Sequence, residues 1–69
     1  MNITTVEENI TARSVRRGDR FVLHGHERVA AGPAWPTGRS TVHIPFVGGG
    51  DAFISADRPL TVKRVVVAS

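Results

Sequence analysis

The chain has 69 residues, enough for one small domain that buries about 60% of the surface its unfolded form exposes, which leaves little room for a catalytic cleft with supporting shells. It contains no cysteine, so disulfides and thiolate metal sites are excluded, and stability must come from a core or from a core completed by a partner. The net charge of +3 is carried by eight arginines and the single Lys63; it favours polyanions and suits a merely soluble basic domain equally well.

The start, Met1 to Asn9, is polar and carries Glu7 and Glu8 where a secretion signal would be basic and then apolar. No apolar run reaches membrane-spanning length, so a cytoplasmic protein is expected. Residues 1–9 read as a lead, or alternatively as an added edge strand, ahead of a single β domain over 10–69. Ile10 to Ala12 reads as a short strand and Arg13 to Arg17 as one helical turn or tight bend, with Val15 pointing inwards.

Gly18-Asp19 is a turn dipeptide, and it opens the firmest strand, Arg20 to His24, in which Phe21 and Leu23 alternate with polar or outward positions. His24-Gly25-His26 then turns the chain, and Glu27 to Ala31 returns as the second arm of a hairpin. Arg20 and Arg28 are expected to pair on its outer face. Gly32 to Gly38 contains Pro33 and Pro36, neither of which can donate to a ladder, and reads as the longest loop.

Thr41 to Val47 alternates cleanly, with Val42, Ile44 and Phe46 on one face; Pro45 predicts a free edge or a bulge there. Gly48-Gly49-Gly50-Asp51 makes a hairpin tip, and Ala52 to Ala56 follows as a strand with Phe53 or Ile54 inward. Ser55 to Pro59 turns again, Asp57 being suited to bond its own backbone. The last strand, Leu60 to Val67, has a parity conflict: counting from Leu60 and Val62 places Arg64 inside. A bulge at Lys63-Arg64 would return Val65 and Val67 to the core and bend the strand. Val65-Val66-Val67 is apolar on both faces, which predicts a covered strand or a self-associating edge and hence a homo-oligomer.

Five or six short strands in meander order, spaced about ten residues apart, predict an all-β fold: an SH3-like barrel or rolled antiparallel sheet. The Val15-Arg16-Arg17-Gly18-Asp19 turn, the Val42-His43-Ile44-Pro45-Phe46 strand ending in glycines, and Asp57-Arg58-Pro59-Leu60-Thr61-Val62 carry a family likeness. Over Ile10 to Val67 the chain resembles the short uncharacterised β-barrel proteins of actinobacteria and their phages. The resemblance implies a barrel, transfers no catalytic residue, and brings the expectation of a phage- or mobile-element-encoded protein that binds and disables a host protein.

Nothing in the chain spells an enzyme. The three glycines lack the helix and the Lys-Ser/Thr ending of a phosphate cradle, and Ser14, Ser40, Ser55 and Ser69 have no nucleophile-elbow context. His24, His26 and His43 would suit zinc only if the fold brought them together, and Gly25 turns the backbone between the first two. No metal or other cofactor is expected. The leading expectation is a non-enzymatic module that binds nucleic acid through Arg16, Arg17, Arg20, Arg28, Lys63 and Arg64. The alternative is a protein contact through Trp35, Arg39, Gly49 of the glycine tip and Val66 of the valine edge. Trp35 is either that contact or a lid over the barrel's open end, the lid being the favoured reading.

Overall fold

The computed structural model describes residues 2–68; Met1 and Ser69, the ends of the expected lead and domain, lie outside them. The described residues form seven strands, one 3-10 turn (Ala12–Ser14) and no α-helix, so no helix is long and apolar enough to cross a membrane. The strands are β1 (Asn2–Thr11), β2 (Arg20–Leu23), β3 (His26–Val29), β4 (Trp35–Pro36), β5 (Thr41–Pro45), β6 (Asp51–Ser55) and β7 (Pro59–Ala68). They assemble into two antiparallel sheets, ordered β1-β7-β2-β3 and β4-β5-β6.

The alternating apolar residues read from the sequence are what the sheets enclose. Phe21 and Leu23 of β2, Val42 and Ile44 of β5, Ile54 of β6, and Leu60 and Val62 of β7 form the core together with Ala12, Val15, Ala30, Phe46 and Ala56. Phe21 meets Phe46 edge to face at 6.2 Å, a favoured aromatic geometry. Ala30 is the joint between the sheets. It accepts from the Gly18 N–H, donates to the Asp19 carbonyl and bridges Phe46, while the neighbouring Ala31 N–H donates to the Pro45 carbonyl at 2.8 Å. Elsewhere the ladder does not close: among the described residues β2 pairs with β7 only at Arg20 and Lys63.

Several expectations are decided or corrected. Of the two readings of residues 2–9, the added edge strand is the one found: they are the larger part of β1, which lies at the edge of its sheet and pairs with β7 along its whole length. That register runs without interruption from Asn2 opposite Ala68 to Thr11 opposite Pro59, so there is no bulge at Lys63-Arg64. Arg64 keeps its inward parity, and Val65 and Val67 stay outside. The loop from Gly32 to Gly38 does not break every ladder, because Trp35 pairs with His43 and Pro36 with Val42. Pro45 stands where the ladder is irregular, in line with the free edge or bulge expected there: β5 is the middle strand, but two-residue β4 stops short of Pro45, whose carbonyl accepts instead from the Ala31 N–H before Ala30 bridges Phe46. Asp57 directs its carboxylate to Arg13 rather than to its own backbone. Of the two residues left open in β6, Ile54 points inward and Phe53 outward.

Arg20 and Arg28 do not share a face. The β2–β3 turn is two residues long, with Leu23 paired to His26, so Arg20 stands opposite Val29 and Arg28 opposite the buried Phe21. His24 (φ 52°) and Gly25 (φ 80°) both take left-handed backbone, the signature of a type I′ hairpin, for which Asn-Gly is the favoured pair. His24→Asn is therefore expected to stabilise the protein by about 0.5 kcal/mol, measured by urea denaturation, because asparagine tolerates this conformation better than histidine.

Candidate interaction surfaces

The outer face of the β4-β5-β6 sheet carries an aromatic row. Register places Trp35 opposite His43 and His43 opposite Phe53, so the three side chains stand side by side across the strands. The His43 and Phe53 rings lie 4.8 Å apart, and His43 Nε2 is held at 2.8 Å by a carboxylate oxygen of Asp51. Trp35 is 59% and Phe53 63% exposed. Trp35 is thus not a lid. The rest of this face, Thr41, Pro45, Asp51 and Ser55 by parity, is neutral or acidic. Arg39 sits in the turn between β4 and β5, at the sheet's end, and Gly49 is the tip of the β5–β6 hairpin with φ 107°.

The residues expected to hold nucleic acid are only partly gathered. Arg20 and Lys63 are direct cross-strand neighbours on the outer face of the four-stranded sheet, both exposed. They are not a bare cationic stripe. Glu7 stands opposite Lys63 on the other side, and Glu27 lies 3.5 Å from Arg20. Together with Val22 and Arg58 these four residues line a 410 Å³ groove where β2 and β7 diverge. Arg16 and Arg17 are exposed on the turn before β2, beside the far end of β7. Arg28 is turned to the other side of the hairpin, its guanidinium 5.1 Å from the centre of the Phe46 ring, a cation–π contact.

Arg64 is largely withdrawn from the surface. Its side chain is 12% exposed, and that of Asp19, its partner, 3%. Nε donates to both Asp19 oxygens at 2.9 and 3.1 Å, Nη1 to Glu8 at 2.9 Å, and Nη2 to the Ser14 carbonyl at 2.8 Å. Asp19 is itself oriented by accepting from the Arg16 N–H at 2.9 Å. The hydrogen bond to Asp19, with the attraction of Asp19 and Glu8, raises the pKa of Arg64 against the opposing effect of burial. The parity conflict in the last strand is thereby resolved by pairing a charge inside the fold instead of by a bulge. Its signal in the sequence was Asp19 directly before the first core strand, the only acid in that turn.

The histidines are dispersed, His24 and His26 at the β2–β3 turn and His43 in the other sheet, and the described residues hold no group of three metal-ligating side chains. Val66 lies on β7 beyond its contact with β2. The fold and these surfaces define an all-β module with one aromatic face and one face of mixed charge. No family model, curated protein or solved structure matches the chain.

Proposed function

We propose that this is a non-enzymatic interaction module, an SH3-like barrel in its finer architecture, that binds another protein through the Trp35–His43–Phe53 row. The observation that carries this reading is the exposure of two large aromatic side chains on one rigid sheet face, where register holds them side by side. Aromatic side chains so placed dominate the energetics of protein contacts, and their apolar area is unfavourable to leave in water. The resemblance to small phage proteins supports a host protein as the partner. A second reading, nucleic-acid binding through Arg16, Arg17, Arg20 and Lys63, draws on the Arg20–Lys63 neighbour pair. It ranks lower because Glu7 and Glu27 interleave with those cations and Arg28 and Arg64 face elsewhere.

One experiment separates the two. Host proteins retained on the immobilised wild-type chain are compared with those retained by Trp35→Ala, Phe53→Ala and the double variant Arg20→Ala/Lys63→Ala, and binding of labelled DNA and RNA is measured at two salt concentrations. A specific partner retained by the wild type and by the basic variant, and weakened by about 30-fold with Trp35→Ala, is the expected result. Nucleic-acid binding that loses about one unit of salt slope per cation removed, and that ignores Trp35→Ala, would overturn it.

A further inference from the structure

Beyond Lys63, β7 has no partner strand on its β2 side among the described residues. There β1 still accompanies it, through Thr5 opposite Val65, Thr4 opposite Val66 and Ile3 opposite Val67, while pairing with β2 has ended among the described residues. The result is a two-stranded ribbon at one end of a molecule 40 Å long and about half as wide (23 × 20 Å). A two-stranded ribbon is marginal in water unless a third strand or a packed face supports it. This one also exposes Ile3, Val65 and Val67 on its outer face, at 67%, 65% and 63%. The free β7 edge has none of the usual protection: Val65-Val66-Val67 contains no lysine, proline or bulge. Beside it a 210 Å³ cleft lies between Val65 and Val66 and the Arg16–Asp19 turn, so among the described residues no strand of the protein's own chain pairs with the edge there.

We propose that a second copy of this chain occupies that edge, the two β7 strands pairing antiparallel about a two-fold axis at Val66. The segment is its own complement in this register: Val66 meets Val66 of the second copy, and Val65 meets Val67 twice. Each contact is a β-branched cross-strand pair, a favoured combination. The two ribbons become one four-stranded sheet, β1-β7-β7-β1, with Ile3, Val65 and Val67 of both copies forming a continuous apolar face. Arg64, next to the paired segment, does not repel its counterpart because its charge is turned onto Asp19. An unrelated extended chain would have no such symmetric match. The contact is isologous and closes on itself as a dimer. It uses none of the aromatic row and stands independently of the function proposed above.

The test is sedimentation equilibrium of the full chain over a wide concentration range, with two double variants at the exposed positions. The wild type is expected to dimerise. Val65→Lys/Val67→Lys places like charges directly opposite each other twice across the axis and should weaken the dimer by about tenfold or more. Val65→Lys/Val67→Glu places each introduced lysine opposite an introduced glutamate and should restore dimerisation to near the wild-type level. Circular dichroism checks that both variants keep the strand signal. A wild-type chain that remains monomeric throughout overturns the proposal. So does a lysine–glutamate variant no more associated than the lysine–lysine variant, which would mean that the edge is met in another register or by another chain.

Discussion

Asp19→Ala should lower the stability of the protein by about 3 kcal/mol, a large share of what a domain of this size has to lose. The substitution removes the carboxylate that takes two of the Arg64 nitrogens and leaves a guanidinium inside the fold with only Glu8 and the Ser14 carbonyl as acceptors. It also frees the Arg16 N–H that closes the turn before β2. Those surviving acceptors keep the loss at the lower end of what breaking a buried ion pair costs. Replacing both partners, Asp19→Ala with Arg64→Met, should be milder than Asp19→Ala alone, because no buried charge is then left unpaired. Urea denaturation of the three variants measures this directly; a double variant as unstable as Asp19→Ala would show that the turn, not the charge, dominates. The pH dependence has a definite sign. The folded pKa of Arg64 lies above its unfolded value, so its contribution is fully present below the unfolded value and is lost only as pH rises through the folded one, far on the alkaline side.

Ile44→Ala is expected to cost about 2–5 kcal/mol, read from the same denaturation curves. Ile44 is fully buried, at the centre of the middle strand of its sheet, and with Val62 of the opposite sheet it is one of the two large side chains with almost no exposure. Both sheets close over it, so truncation leaves a cavity that the small core has little freedom to collapse. Phe53→Ala is the informative contrast. It deletes a larger side chain from a position that faces solvent and should change stability by no more than about 0.5 kcal/mol. A larger loss would mean that the aromatic row holds the sheet together rather than waiting for a partner, and the proposed protein contact would lose its main support.

The two proposed contacts occupy different parts of the molecule, which has a consequence for affinity. A dimer joined through β7 carries two aromatic rows, so a partner that presents two binding sites would be held more tightly than by one row alone. Val65→Lys/Val67→Lys would then weaken capture of such a partner without touching Trp35.

By itself, the sequence determined the all-β class, the hairpin at His24-Gly25, and the inward faces of β2 and β5, because a two-residue alternation of apolar side chains is a local signal that needs no knowledge of neighbours. It left Phe53 and Ile54 undecided, since a strand with apolar residues on consecutive positions has two consistent parities. The tertiary structure alone decided which arginines are surface groups. Arg28 was placed by the register of a two-residue turn, and Arg64 by Asp19 and Glu8, which are 45 and 56 residues away in the chain. The same holds for β1, whose polar residues carry no strong strand pattern and become a strand only by pairing with β7 at the other end of the molecule. Such pairings depend on which edges are brought together in space, and no spacing along the chain encodes that. The aromatic row lay hidden for the same reason: Trp35, His43 and Phe53 are far apart in sequence and adjacent only because three strands align them.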